Sequence, residues 1–177
     1  MLTTILAFIG AIVVIAIAGI LVYAATLPNH FQVSRSMLIN AAPETVYPLI
    51  ANLRTFNVWN PFAKQDPSMV ITYNGPDSGK GAGYSWQGKK GRGRSSITDT
   101  VAPTRIDMRL DMEKPMEGHP DIVFALVPKG AATEVSWSMS GPWPYLHRIF
   151  GTICNMDKMV GGEFLKGLTD LKAMAEK

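Results

Sequence analysis

The side chains with reactive chemistry are few: three histidines, His30, His119 and His147, and one cysteine, Cys154, in 177 residues. None falls into a metal-holding spacing, since the chain contains no HxxxH, HExxH or CxxC pattern; no metal site and no cofactor is expected. His147 and Cys154 would share one helix face, yet about 10.5 Å of axial rise would separate their backbones, too far for a thiol–imidazole pair. Cys154 is expected to be a small buried hydrophobe, and being alone it excludes an intrachain disulfide. Asp107 and Asp111 come nearest to paired carboxylates. Arg105 and Arg109 alternate with them on the same strand face, which is the pattern of a surface charge ladder rather than of an acid/base couple. No residue is nominated as catalytic.

The segment Gly83-Tyr84-Ser85-Trp86-Gln87-Gly88-Lys89-Lys90 nearly spells a phosphate-binding loop. Its last position is Lys where a Mg²⁺-binding Ser or Thr is required, two bulky aromatics occupy the wrap, and no helix begins at Lys89; a hairpin is expected instead. The turn is basic, with Lys80, Lys89, Lys90, Arg92 and Arg94 and no acid between Asp77 and Asp99. Such a run is first of all a solvated edge. On a domain held near a bilayer, Lys89, Lys90, Arg92 and Arg94 are candidates for docking on anionic lipid, at about 1 kcal/mol each. Nucleic acid is not expected as a partner, because interleaved aromatics are few and no RNA-binding signature is present.

The methionines and tryptophans are more informative. Met108, Met112, Met139, Met156 and Met159 fall on or near faces that periodicity turns inward, and Trp59, Tyr84, Trp86, Phe124 and Trp137 add large apolar walls. Met adapts to varied apolar ligands, so these ten residues are the candidates for lining a binding cavity. The same set would also serve an ordinary Met-rich core, and Trp59 could cap the mouth or pin the loop after the first helix.

The elements that must position them follow from the spacing. Phe31 to Ile39 alternates as a strand whose apolar face is interrupted by Arg35. Ala42-Pro43-Glu44 opens a helix with Val46, Leu49, Ile50 and Leu53 at helical spacing. Six strands are predicted next: Met69 to Tyr73, Gly83 to Gln87, Ser95 to Val101, Arg105 to Met112, Asp121 to Val127 and Thr133 to Met139. After Pro144 the period becomes helical, with Ile149, Ile153, Met156, Val160, Phe164, Leu168 and Leu171 forming a stripe that must lie on the sheet. The layout is α+β, a curved antiparallel sheet of about seven strands around a long C-terminal helix.

In front of all this, Leu2 to Ala25 contains no charged side chain, and the first Lys or Arg is Arg35. At about 1.5 Å per residue the run reaches roughly 36 Å, enough to cross a hydrocarbon core of about 30 Å. The alternative is a signal peptide cleaved after Val22-Tyr23-Ala24, but the apolar stretch is longer than such signals carry and lacks their basic start. The expected organisation is an anchor with a short linker over residues 1–28 and one domain over 29–177. The flanks leave orientation open, with a slight lean to an inside N-terminus and an extracytoplasmic domain.

The order of elements resembles the START-like (SRPBCC) superfamily, the helix-grip fold, and within it the bacterial polyketide cyclase/dehydrase and lipid-transport family. The residues that carry the resemblance are Val33-Ser34-Arg35-Ser36 leading to Ile39-Asn40-Ala41-Ala42-Pro43-Glu44-Thr45-Val46-Tyr47, then Val58-Trp59-Asn60-Pro61-Phe62, Thr133-Glu134-Val135-Ser136-Trp137 and Gly162-Glu163-Phe164-Leu165-Lys166-Gly167-Leu168. The resemblance implies a cavity between sheet and final helix that holds a hydrophobic small molecule. It carries no invariant catalytic set. The leading expectation is a domain anchored by a single span, in a bacterial inner membrane, that binds or transfers a lipid-like compound. A cyclase or dehydratase acting on a hydrophobic substrate and a co-chaperone-like interaction module are the rivals.

Overall fold

The structure, a computed structural model, describes residues 2–153 and 156–177, and of Leu2, Ile153 and Met156 the backbone only. Along the chain run α1 (Leu2–Thr26), β1 (His30–Ile39), α2 (Pro43–Ala51), α3 (Leu53–Trp59), α4 (Pro61–Lys64), β2 (Val70–Asn74), β3 (Gly83–Gly88), β4 (Gly91–Val101), β5 (Arg105–Lys114), β6 (Asp121–Lys129), β7 (Ala132–Pro142), α5 (Tyr145–Ile153) and α6 (Met156–Ala175). The chain forms two compact units, residues 1–31 with 142–156, and residues 32–141 with 157–177.

The larger unit is a seven-stranded sheet in the order β1-β7-β6-β5-β4-β3-β2, so the first strand closes against the last and the rest is a meander. Alternating side chains set its two faces. Ile106 and Met108 are buried while Arg105 and Asp107 between and beside them lie on the wet side. Short turns set the register: Lys129 pairs with Ala132, and Gly130 between them takes a φ of 66°, a conformation that costs glycine nothing.

Across the inner face lies α6, which buries Val160, Phe164, Leu168 and Leu171 at helical spacing. An aromatic cluster fills the space below it. Trp59 meets Trp137 edge-on at 5.6 Å, Phe124 lies 5.0 Å from Trp137, and Phe56 sits 4.8 Å from Trp59.

The structure departs from two sequence expectations. The first helix is three short ones, because Asn52 accepts hydrogen bonds from Arg54 N and Thr55 N and restarts the chain as α3, and Asn60 does the same for Phe62 N with Pro61 at the first position of α4. The final stripe is also divided. Ile149 lies on α5 in the smaller unit, whereas Val160 onward lies on α6 in the larger. Cys154, between them, is outside the described residues.

The smaller unit pairs α1 with α5. Tyr145 Oη donates to Leu21 O at 2.9 Å, Arg148 Nη1 to Leu27 O at 2.7 Å, and Trp143 N to Asn29 O at 2.7 Å. By length and composition α1 can cross a membrane, properties that a signal sequence shares.

Candidate functional site

The inner face of the sheet changes character from one end to the other. At one end Ile106, Phe124 and Trp137 stand abreast on β5, β6 and β7, all fully buried, with Phe124 and Trp137 against Phe56 and Trp59 of α3 and Trp137 against Phe164 of α6. Toward the other end Met139, Leu110, Met112 and Trp86 continue the same face and are only half-buried. Trp86 lies opposite Gly93, and Gly93 opposite Met112, so the missing side chain makes room for the indole; a Cβ on Gly93 would come within 2.7 Å of its ring. This strip is apolar and half-exposed, beyond a solid aromatic cluster.

Phe62 marks the rim. Its ring lies 6.4 Å edge-on from both Trp137 and Phe164, yet the residue is 39% exposed. The rim is tied to the helix by polar contacts: Lys64 Nζ pairs with Asp170 at 2.7 Å, and Gln65 Nε2 donates to Glu163 at 2.6 Å. At the other wall Arg35, half-buried on β1, reaches both carboxylate oxygens of Asp157 at 3.0 and 2.8 Å and its carbonyl at 3.0 Å. Gly161 makes this possible, since a Cβ there would land on the guanidinium. The Arg35 hydrogen bonds hold the Asp157 carboxyl below the usual carboxylate range. The charge that interrupts β1 is thereby absorbed at the first turn of α6.

Polar groups are sparse and buried. Burial, and next the neighbouring Tyr73, push the Tyr84 phenol well above its ordinary pKa, so it stays a neutral hydroxyl near pH 7. Asn60 Nδ2 donates to Asn57 Oδ1 at 3.1 Å, and Asn57 Nδ2 to Tyr73 Oη at 3.3 Å. Trp137 Nε1 is buried on the inner face without a hydrogen-bond partner among the described residues. An acceptor on a ligand would satisfy the indole N–H.

Of the residues nominated from sequence, Tyr84, Met108, Phe124, Trp59 and Trp137 are buried in the packed region, and Trp86, Met112 and Met139 lie in the open strip. Trp59 pins α3, its Nε1 donating to Leu49 O at 2.9 Å. Met159 stands apart from the strip, 57% exposed on α6, and the Met156 side chain is outside the described residues. Sequence reasoning left out Phe62 and Leu110. Leu110 shares a strand face with Met108 and Met112 and was findable by alternation; Phe62 had no periodic signal.

The basic run belongs to the opposite side. Arg92 and Arg94 alternate away from Trp86 and pair with Glu113 at 2.8 Å and Asp111 at 2.9 Å, and Lys90 Nζ donates to Gln65 at 3.4 Å. Arg92 lines an open groove of about 770 Å³ with Val70, Thr72, Ser85, Gln87 and Lys89, and Trp86 and Gly93 border it as well. Gly83–Gly88 is β3 itself, followed by a tight turn, as a hairpin requires. Arg105 with Asp107 and Arg109 with Asp121, each at 2.8 Å, form the expected outer ladder.

The sequence profile for polyketide cyclase / dehydrase and lipid transport matches residues 30–176. The chain belongs to this family. Comparison with curated proteins returns no match. Among solved structures, protein CV1439 from Chromobacterium violaceum is 18% identical, with a TM-score of 0.60 over 85% of this chain and 99% of that one. Ara h 8.0201 is 10% identical, with a TM-score of 0.54 over 82% and 97%. DynU16, from the dynemicin biosynthetic locus, is 13% identical, with a TM-score of 0.59 over 82% and 47%. At these identities the likeness is one of fold, the helix-grip arrangement. Family membership supports a domain that binds hydrophobic ligands.

Proposed function

We propose that this chain is a membrane-anchored domain that binds or transfers a hydrophobic, lipid-like small molecule in the trough between sheet and α6. The observation that carries the reading is the strip of Trp86, Leu110, Met112 and Met139, apolar and half-exposed on an inner face that is fully buried at Ile106, Phe124 and Trp137. Covering such a strip with an apolar ligand contributes about 25 cal/mol per Å². The anchor is α1, uncharged over its length and exposed along nearly all of it. In this reading the domain lies on the extracytoplasmic side.

The test is to extract the full-length protein in mild detergent, strip it with organic solvent and identify what co-purifies by mass spectrometry. A defined amphiphile retained in stoichiometric amount, and lost from a Leu110→Asp/Met112→Asp variant, is expected. The same lipid mixture from both proteins, matching the bulk membrane, would overturn the assignment.

A further inference from the structure

In the smaller unit, α5 has two unlike faces. Leu146 and Phe150, one helical turn apart, are 68% and 57% exposed, while His147, Arg148 and Ile149 are half-buried. Two large apolar side chains turned outward on a nine-residue helix are an unpartnered surface. What covers them is indicated by where α5 is fastened. Tyr145 and Arg148 of α5 donate to Leu21 O, in the last turns of α1, and to Leu27 O, just past its end, and Trp143 N, just before α5, donates to Asn29 O.

That end has a definite depth if α1 crosses a bilayer, and the inference rests on that part of the proposed function. A helix of 25 residues is about 37 Å long against a hydrocarbon core of about 30 Å, so its last turn stands among the headgroups. The side chains gathered there have interfacial chemistry. Trp143 packs over Gly151, where a Cβ would land on its ring; Tyr145 has its hydroxyl on the Leu21 carbonyl; and the Arg148 guanidinium lies 5.5 Å from the centre of the Tyr145 ring. Trp and Tyr favour this layer because the ring is largely apolar while its N–H or O–H forms hydrogen bonds, and Arg holds its charge at the level of the headgroups.

We propose that α5 is a second membrane contact, an interfacial helix held against the C-terminal end of α1 that presses Leu146 and Phe150 into the boundary between headgroups and acyl chains. The anchor then fixes depth, and α5 fixes rotation, because an apolar face on one side of the span permits one orientation toward the bilayer. The occupant of this face is lipid.

The test uses the full-length protein with Cys154→Ser, carrying an environment-sensitive fluorophore on a single introduced cysteine, Leu146→Cys, Phe150→Cys or the exposed control Lys129→Cys. Each is reconstituted into phosphatidylcholine/phosphatidylglycerol vesicles containing lipids brominated near the headgroup or near the acyl terminus. Labels at 146 and 150 are expected to be quenched at least about twofold more by the shallow bromine than by the deep one, and the label at 129 by neither. Labels at 146 and 150 that report water, or that are shielded from water yet insensitive to brominated lipid, overturn the proposal; the second outcome assigns the face to protein. Unlabelled protein in vesicles doped with an acyl-chain diazirine lipid gives an independent reading, adducts on 145–152 being expected and their absence contradicting the proposal. A carbonate wash of the same vesicles separates the two claims. Release of the chain refutes the span itself, whereas retention without quenching refutes α5 alone.

Discussion

Trp137 of β7 and Phe164 of α6 stack face to face, ring centroids 4.2 Å apart and planes 10° from parallel. The pair fastens helix to sheet and also underlies the rim of the proposed trough, where Phe62 meets both rings and is itself partly open to solvent. Packing and site are therefore two sides of one contact.

Phe164→Ala removes one half of the stack at a fully buried position. The expected loss is about 3 to 5 kcal/mol, read from urea unfolding midpoints. A change well under 1 kcal/mol would mean that α6 does not depend on this contact.

One turn further on, Gly167 lies under the same ring. A Cβ there would meet Trp137 at 2.7 Å and the Pro61 ring at 2.9 Å, whereas at Gly162 it would meet nothing within 4 Å. Gly167→Ala should destabilise by about 1 to 3 kcal/mol. Gly162→Ala should be neutral or stabilise by up to about 1 kcal/mol, as expected for Ala over Gly inside a helix. Equal effects in thermal melts of the two variants would contradict the packing described.

Acid should weaken the fold through Asp111. Hydrogen bonds from His119 first and Arg94 second hold its carboxyl below the usual range. A depressed carboxylate contributes stability that is complete above its unfolded pKa, near 4, and is lost as pH falls through the folded value. Asp111→Asn should flatten the decline of the urea midpoint below about pH 4, and an unchanged slope would remove Asp111 from the account.

Deleting residues 1–28 should leave a soluble chain that unfolds cooperatively, because the buried residues of sheet, α2, α3 and α6 all come from positions 33 and beyond. Circular dichroism and urea melts check this. Persistent aggregation with molten spectra would show that the sheet needs the anchor.

Strand alternation made the sheet legible, down to Arg35 as the exception on β1, and the apolar run made α1 legible by length alone. Asn52 and Asn60 were readable as caps in principle, the second from Asn-Pro, but the apolar period runs through both and conceals the breaks. The division between α5 and α6 is hidden for the same reason: Ile149, Val160 and Phe164 keep one helical phase while belonging to different units. In the site, alternation placed Met112, Met139 and Trp86 on the inner face. It could not tell a packed wall from an open one, because the depth of burial of Trp137 against Met139 is set by where α6 and the Phe62 rim lie.

The most direct test of the trough is a titration of the chain lacking residues 1–28 with an apolar fluorescent probe, in parent and Met139→Trp forms. The account predicts saturable binding that extracted membrane lipids displace, and that Met139→Trp abolishes while unfolding stability changes by less than about 1 kcal/mol, since the added ring occupies open space. Absence of saturable binding by the parent, together with a loss of about 1 to 3 kcal/mol in Met139→Trp, would mean that this end of the sheet is close-packed and that the ligand-binding function is wrong.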